Sequence, residues 1–279
     1  MGYLKVNGRE LFYHQTGHGS KTVFIVHGGP GLTLDYLKIV HNQLPAEDFT
    51  VVSYNQSGSF DSSPEYYRSV PDYATELKAV IEHFGPENSI VIGHSWGVAV
   101  VLELLLAYPS LVDKAVLMNG FCSGKQLKQA IQLRVDALPE DFHQQRKAHL
   151  ANNDPAGYGA LLFKDWLPKH VINLPDFPDD LMLSITQQGV EVSTHFIGSD
   201  TLNITGELLN WDRHDDLNSI TTPILLMSGK YDYLSKEETE NMQQKLGNAQ
   251  FWYSEVASHM PMYEDPENFK NALITFLSA

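Results

Sequence analysis

Ser89-Ile90-Val91-Ile92-Gly93-His94-Ser95-Trp96-Gly97 is the most informative segment of this 279-residue chain. Its first four residues form a short, mostly β-branched apolar run that is typical of a buried strand, and residues 97–108 form a nearly all-apolar stretch of helical length. Gly93 and Gly97 let the backbone turn sharply between the two. The segment therefore predicts a strand–turn–helix element that projects the hydroxyl of Ser95 beyond the sheet edge, at a helix N-terminus.

Similar apolar runs recur on both sides of this segment and alternate with helical patterns. This alternation is typical of parallel strands joined by helical crossovers. A helix is predicted over 72–84, and an antiparallel edge strand over 11–15. The sequence therefore predicts an α/β fold, the α/β-hydrolase fold, with a mostly parallel central sheet flanked by helices. Its other strands are predicted at 21–26, 50–54, 89–92, 114–118, 223–227 and 250–253.

The alternation stops after Gly120. Residues 121–218 contain helical patches at 125–138, 150–166 and 179–188, joined by proline-rich connectors, and no strong strand pattern. We therefore interpret residues 1–120 and 219–279 as one α/β-hydrolase core, and residues 121–218 as an inserted helical cap, or lid. A chain of this length has room for one such core and its insertion.

Composition and charge exclude several classes of function. The formal net charge of -15 argues against a nucleic-acid partner, because phosphate binding needs clustered Lys and Arg. The chain has no apolar run of signal-peptide or membrane-spanning length, so we expect a cytoplasmic protein without a membrane partner. Cys122 is the only cysteine, which excludes an intramolecular disulfide and a thiolate metal cluster within this chain.

A serine nucleophile needs a histidine base, and the base needs a carboxylate that orients it. In this fold both follow the serine in the chain, with the acid first. Asp232 directly follows the strand predicted at 223–227, which puts it at the C-terminal edge of the sheet. His259, among twelve histidines, lies between the last predicted strand and a final helix that begins near Pro266. Ser95, Asp232 and His259 are therefore the candidate catalytic residues for acyl transfer.

The tetrahedral intermediate of acyl transfer needs two N–H donors for its oxyanion. Trp96, the residue after the serine, is one candidate. The second comes from His27-Gly28-Gly29-Pro30-Gly31, the loop after the strand predicted at 21–26, where glycines let the backbone approach a substrate. We choose Gly29 as this donor. Such a mechanism implies neither a metal nor an organic cofactor.

Taken together, these motifs resemble the proline iminopeptidase family, peptidase family S33, within the α/β-hydrolase superfamily. The resemblance spans nearly the whole chain, and His-Gly-Gly-Pro-Gly is its most specific element. Residues 54–62 also resemble a D-Q-x-G-x-G-x-S stretch of the family, with Asn55 in place of the usual Asp. The resemblance implies an aminopeptidase that removes an N-terminal proline or another residue from short peptides. The motifs that carry it lie at 27–31, 93–97, 229–232 and 258–264.

The resemblance also implies acidic residues that hold the ammonium group of the substrate. Related aminopeptidases have glutamates at the positions matching Thr201 and Tyr233, and this chain has lost both charges. Asp200 or Glu207 could replace them, or both could be solvated acids of a cap loop. We therefore expect a serine hydrolase of a small amide, peptide or ester, with a carboxylesterase or amidase that needs no free amino terminus as the alternative. The candidate substrate-binding residues are Thr201, Tyr233 and Trp211.

Other questions stay open at this level. A cofactor-free lyase or perhydrolase, or a non-catalytic ligand-binding homologue, could have the same fold. The expected partner is a small-molecule or short-peptide substrate, and the oligomeric state is not determined by the sequence. Five cap residues could line a pocket or form the core of the cap: Phe163, Trp166, His195, Phe196 and Trp211.

Overall fold

The computed structural model describes residues 1–85 and 87–279. Within these residues, eight strands form one sheet: β1 Gly2–Val6, β2 Arg9–Gly17, β3 Lys21–Val26, β4 Phe49–Tyr54, β5 Ser89–His94, β6 Lys114–Met118, β7 Ile224–Gly229 and β8 Ala249–Ser254. Their order in the sheet is β1-β2-β4-β3-β5-β6-β7-β8. The six strands from β3 to β8 are parallel, whereas β1 and β2 are antiparallel additions beside β4. The predicted fold class is confirmed.

The α-helices in the described residues are α1 Lys38–Gln43, α2 Val70–Phe84, α3 Trp96–Ala107, α4 Gly124–Asp136, α5 Glu140–Ala151, α6 Pro155–Asp165, α7 Leu167–His170, α8 Asp179–Thr186, α9 Val190–Phe196, α10 Lys236–Lys245, α11 Pro261–Glu264 and α12 Pro266–Ser278. Three short 3₁₀ helices span Leu34–Leu37, Glu207–Asn210 and Leu217–Ser219. None of the described helices has the length and apolar character needed to cross a membrane.

Apolar layers cover both faces of the sheet. Along β3, Phe24 and Val26 belong to the cluster that includes α2 and α3. Val23 and Ile25 belong to a second cluster, which includes α1 and α12. Successive side chains of a strand point to opposite faces, so a strand that is buried on both faces appears as one continuous apolar run. This explains why 21–26 could be predicted from composition.

The N-terminal edge of the sheet differs from the prediction. Residues 11–15 lie in β2, which is not an edge strand because β1 pairs with it on the outside. β1 contributes only two buried side chains, Leu4 and Val6, to the core. Asn7 and Gly8 join the two strands with positive φ angles of 51° and 77°, as a tight hairpin turn requires. The Asn-Gly pair was the available signal for this strand.

A long connection, residues 119–223, joins β6 to β7 and contains the helices α4 to α9. One predicted helical patch, 150–166, is wrong as a single element, because the chain breaks between α5 and α6. Asp154 caps the new helix by accepting a hydrogen bond from the Gly157 N–H at 2.9 Å, and Pro155 occupies its first position. Asp and Pro at these positions favour a helix start over a helix interior.

Candidate active site

Ser95 lies on the sharp turn between β5 and α3. Its backbone has φ 55° and ψ -118°, a conformation that is strained for a residue with a side chain. A Cβ atom at Gly93 would lie 2.6 Å from the Gly97 carbonyl oxygen, and one at Gly97 would lie 2.3 Å from that of Val26. Only glycine fits at either position, so the two glycines allow the close packing that presents Ser95.

Asp232 and His259 meet beyond the ends of β7 and β8. The Nδ1 atom of His259 lies 3.1 and 3.0 Å from the two carboxylate oxygens of Asp232, which is fully buried. The Leu234 N–H also donates to Asp232, at 3.1 Å. Because the carboxylate only accepts hydrogen bonds, the proton of the neutral imidazole lies on Nδ1. The Nε2 atom is therefore left as an acceptor.

Tyr233 contacts the predicted base and lines the same cavity as Ser95 and His259. Its hydroxyl is 3.0 Å from His259 Nε2, to which it donates. Burial raises the pKa of the Tyr233 hydroxyl well above its ordinary value. Among the described residues, no direct hydrogen bond joins Ser95 to His259. The three predicted catalytic residues therefore lie in one cluster, in which a phenol hydroxyl occupies the hydrogen-bonding position at His259 Nε2.

The loop 27–31 approaches Ser95 from the end of β3. The Gly28 N–H is occupied, since it donates to the Tyr36 hydroxyl at 2.7 Å. Within the described chain, the Gly29 N–H has no such partner, and Gly29 has a φ of 116° that favours glycine. The Trp96 N–H is the first of α3 and has no partner inside the helix. Gly29 and Trp96 thus offer two free donors beside Ser95.

His94 connects three parts of the site that sequence reasoning left separate. Its Nε2 atom donates to the His259 carbonyl oxygen at 3.0 Å, so its Nδ1 atom accepts the Tyr36 hydroxyl proton at 2.7 Å. Burial lowers the pKa of His94 to about 3, which keeps the ring neutral and this pattern fixed. The Tyr36 hydroxyl also accepts a hydrogen bond from the Gly28 N–H, which extends this series of hydrogen bonds. It ties the loop 27–31 to the segment that carries His259.

Asn119 is a second residue that the sequence analysis missed. It directly follows β6, and its Nδ2 atom donates to Asp232 at 2.7 Å and to the Ser258 carbonyl oxygen at 3.1 Å. Its φ of 49° is one that asparagine tolerates better than most residues. An Asn at the C-terminal end of a predicted parallel strand was the available signal. Asn119 holds the acid and the residue before His259 in place together.

Comparison with known proteins bears on this geometry. A family model described as alpha/beta hydrolase fold matches residues 21–266. The chain belongs to this family. It is 27% identical over 265 residues to a proline iminopeptidase of Elizabethkingia meningoseptica, covering 91% of this chain and 89% of the relative. It is 25% identical over 285 residues to the proline iminopeptidase of Thermoplasma volcanium, covering 99% and 96%.

Among solved structures, the crystal structure of VinJ superposes with a TM-score of 0.92 at 24% identity, covering 99% of this chain and 97% of that one. At this level of identity the superposition shows a shared fold. The matches to the two iminopeptidases confirm the predicted resemblance to the proline iminopeptidase family. The matches support a hydrolase.

A cavity of about 220 Å³ adjoins Ser95 in this α/β hydrolase. The core contributes Gly28, Gly29, Tyr233 and His259 to its lining. No Asp, Glu, Lys or Arg occurs among the described residues that line it. The described lining is mostly apolar and contains no carboxylate, ammonium or guanidinium group. The connection between β6 and β7 contributes most of the apolar wall, including Phe121, Leu127, Ile131, Leu162, Trp166 and Ile197.

The three predicted substrate-binding residues are not all at this cavity. Thr201 and Tyr233 line it. Trp211 does not, which corrects the prediction. Its indole N–H donates to the buried Glu103 at 2.6 Å, and its ring packs edge-on against Phe121. Trp211 thus packs on the far side of the cavity wall because Glu103, on α3, supplies the partner that a buried indole N–H needs.

Of the other aromatic cap candidates, only Trp166 lines the cavity among the described residues. The three remaining rings do not line it, and of these only Phe196 is fully buried in the core. Each has an aromatic neighbour: Phe163 packs against Phe177, His195 against Tyr66, and Phe196 against Trp96.

Neither possible replacement for the missing glutamates reaches the cavity. Asp200 forms an ion pair with Arg146 at 2.5 Å and accepts the Tyr158 hydroxyl at 2.7 Å. Glu207 is exposed and lines a separate surface cleft that also contains Arg213. Asp200 already has a counter-charge, and Glu207 is solvated. Neither is placed to neutralise a cation beside Ser95.

The described residues include no group of three His, Cys, Asp or Glu side chains that could hold a metal ion. Cys122 is buried in the connection between β6 and β7. Burial raises the pKa of its thiol to about 12. A thiol in this state is a weak nucleophile, because the thiolate is the reactive form.

Proposed function

We propose that this α/β hydrolase is a serine acyl hydrolase of esters or amides whose acyl group is neutral and apolar. The observation that carries the proposal is the mostly apolar cavity beside Ser95, whose described lining contains no Asp, Glu, Lys or Arg. In this proposal the connection between β6 and β7 acts as the predicted cap over residues 121–218, and residues 1–120 and 219–279 form the catalytic core.

Ser95 attacks the substrate carbonyl, and its proton goes to the Nε2 atom of His259. Asp232 then faces an imidazolium, which it orients and stabilises through Nδ1. The N–H groups of Gly29 and Trp96 donate to the oxyanion, and the positive end of the α3 dipole adds to their effect. Loss of the leaving group forms an acyl-enzyme at Ser95, and water releases the acid by the same steps.

The lining of the cavity supports a neutral acyl group. A prolyl or other aminoacyl substrate brings an ammonium group within a few ångströms of Ser95. An ammonium that loses water without gaining a counter-charge costs several kcal/mol. Asp200 does not supply that charge in this arrangement, because it is paired with Arg146. An acyl group without the ammonium avoids this cost and buries apolar surface against Trp166 and its neighbours.

A matched pair of arylamides tests the proposal. Prolyl p-nitroanilide and cyclopentanecarbonyl p-nitroanilide share a leaving group and nearly the same ring, but only the first carries an ammonium. We expect kcat/KM for the neutral compound to be higher by about 100-fold or more, since about 2.7 kcal/mol of unpaired charge corresponds to that ratio. Short acyl p-nitrophenyl esters should be turned over faster still. A preference for the prolyl compound would refute the proposal.

An aminopeptidase is the second candidate, and one observation favours it: the relatives from Elizabethkingia meningoseptica and Thermoplasma volcanium are both proline iminopeptidases. In that case a carboxylate would have to come from outside the cavity lining, for example from Asp200 after its ion pair opens. The same pair of arylamides distinguishes the candidates. A small-molecule or short-peptide substrate and a cytoplasmic location stay proposals.

A further inference from the structure

The Gln56 side chain joins the two segments that carry the candidate oxyanion donors. Its Nε2 atom donates to the His27 carbonyl oxygen at 2.9 Å, and its Oε1 atom accepts the Trp96 indole N–H at 3.0 Å. An indole N–H can only donate and a carbonyl oxygen can only accept, so these bonds fix which end of the amide faces which segment. All three residues are buried. Gln56 therefore connects the loop 27–31 with the first turn of α3.

The backbone of Gln56 acts on the same loop through the ring of His27. The Gln56 N–H donates to His27 Nε2 at 3.0 Å, so the proton of the neutral ring lies on Nδ1, 2.9 Å from the Gly28 carbonyl oxygen. Burial lowers the pKa of His27 to about 4, which keeps the ring neutral. Gln56 Nε2 also lies 3.1 Å from Nδ1, but both atoms are donors there, and each has a carbonyl oxygen as its closer partner.

The Gly28 carbonyl belongs to the same peptide group as the Gly29 N–H. A peptide group is planar, so a bond that holds its oxygen also sets the direction of its N–H. This backbone passes directly beside the nucleophile, since a Cβ atom at Gly28 would lie 3.0 Å from the Cβ of Ser95. Gln56 thus acts on the Gly29 N–H through the loop, and on the start of α3 through the indole.

The residues on either side of Gln56 hold it in place. Asn55 uses both ends of its side-chain amide in hydrogen bonds to backbone groups, each at 2.7 Å. Ser57 donates to the buried Glu76 through both its N–H and its hydroxyl. The segment 55–57 is therefore fixed at its backbone, and the Gln56 amide extends from it to the loop and to the helix.

We propose that Gln56 is a positioning residue for the oxyanion hole, which sets the separation and direction of the Gly29 and Trp96 N–H groups beside Ser95. This inference rests on the proposed serine acyl hydrolase. Donors stabilise an oxyanion strongly only when they are held where its charge develops. The proposal gives a function to residues 54–62, the stretch that resembles a family motif.

The first test replaces Gln56 by leucine and compares two ligands of the cavity. With cyclopentyl trifluoromethyl ketone, the Ser95 oxygen adds to the carbonyl and forms an oxyanion, whereas cyclopentylmethanol fills the cavity without one. We expect kcat on p-nitrophenyl cyclopentanecarboxylate and the affinity for the ketone to fall together, by about 10- to 100-fold. KM and the Ki of the alcohol should change less than about threefold. Unchanged kcat and ketone affinity would overturn the proposal.

Ser57→Ala is the matched control. It removes a buried hydrogen bond from the same segment, but this bond leads to Glu76 and not to the oxyanion donors. Ser57→Ala should lower the free energy of unfolding and keep both kcat and the ketone affinity. An equal loss of ketone affinity in the control would overturn the role of Gln56, because loosening of the segment would then explain the effect.

A double variant, Gln56→Leu with Trp96→Phe, keeps the test decisive if Gln56→Leu does not fold. The single variant leaves the indole N–H unpaired in the core, whereas the double variant removes that donor and keeps the backbone N–H of residue 96. We expect the double variant to show the same loss of kcat and of ketone affinity. Wild-type values in the double variant would overturn the proposal. Absence of both ester turnover and ketone binding in the wild type would instead count against the proposed function.

Discussion

Asn119→Gly is expected to weaken both stability and catalysis. Asn119 donates to the Asp232 carboxylate at 2.7 Å and to the Ser258 carbonyl oxygen at 3.1 Å, and it is nearly fully buried. Glycine is the right replacement because φ at this position is 49°. A side chain other than Asn or Asp would add backbone strain of about 1 kcal/mol. The Asn119→Ala variant measures that extra cost separately.

The size of the effect follows from the individual bonds. A hydrogen bond to an ionised carboxylate contributes about 1.5–3 kcal/mol, and one to a neutral carbonyl about 1 kcal/mol. Against this, the side-chain amide oxygen of Asn119 is buried with no hydrogen-bond partner among the described residues. Its removal therefore recovers about 1 kcal/mol of stability. The net loss in the free energy of unfolding is about 2 kcal/mol. We expect kcat to fall about tenfold, because Asp232 loses one of the donors that orient it toward His259.

The assay pairs urea unfolding with ester hydrolysis under the same buffer conditions. Asn153→Gly is the matched control, since Asn153 also has a positive φ, of 50°, but is exposed. The control should stay within about 0.5 kcal/mol of the wild type and keep its kcat. If Asn119→Gly changed neither the free energy of unfolding nor kcat relative to this control, the role assigned to the bond between Asn119 and Asp232 would be refuted.

Three further predictions concern the acid, the cavity and the core. In Asp232→Asn an amide N–H faces His259 Nδ1, so the imidazole proton moves to Nε2. We expect kcat to fall on the order of 10⁴-fold, with little change in melting temperature. A loss in kcat of less than about tenfold would contradict the orientation of His259. Thr201→Glu places a carboxylate at the cavity. It should raise kcat/KM for prolyl p-nitroanilide about tenfold and lower kcat/KM for the cyclopentanecarbonyl compound. An unchanged ratio of these two kcat/KM values would mean that position 201 does not contact the acyl group. Burial raises the pKa of Glu76 from 4.5 to about 7. Between these two pH values the native state keeps the Glu76 carboxyl protonated while the unfolded state loses that proton, so the free energy of unfolding should fall as pH rises from about 4.5 through 7. In Glu76→Gln, the fall in the free energy of unfolding over this pH range should be smaller by about 3 kcal/mol, as measured by urea unfolding. Equal pH profiles for the two proteins would contradict the raised pKa of Glu76.

The parallel core of the fold was predictable because most of its strands, β3 to β7, are buried on both faces. The apolar runs 21–26 and 114–118 coincide with β3 and β6. β1 was missed because an edge strand with one buried face needs only Leu4 and Val6 to be apolar. The helix break at Asp154 was missed for a different reason. Apolar spacing continues across it, and the cap formed by Asp154 and Pro155 is a local signal that the periodicity hides.

At the candidate site, the sequence predicted which residues follow the parallel strands, but it did not predict where their side chains point. Ser95, Asp232 and His259 follow parallel strands, so topology alone brings their backbones to the same edge of the sheet. The placement of the Tyr233 hydroxyl at His259 Nε2 depends on how its ring packs against Trp166, a residue of the distant connection. Trp211 was misassigned because the partner of its indole, Glu103, lies 108 positions away in the chain. Such contacts have no signature in local sequence.

Labelling by a fluorophosphonate probe, followed by peptide mass analysis, is the most direct measurement of the proposed chemistry. The wild-type protein should form one covalent adduct on the peptide that contains Ser95 and should hydrolyse short acyl p-nitrophenyl esters. Ser95→Ala should form no adduct and lose about 10³-fold or more in turnover. Ser228→Ala, which removes another buried hydroxyl, should behave as wild type. Wild-type turnover in Ser95→Ala, or an adduct on another residue, would contradict the assignment of Ser95 as the nucleophile.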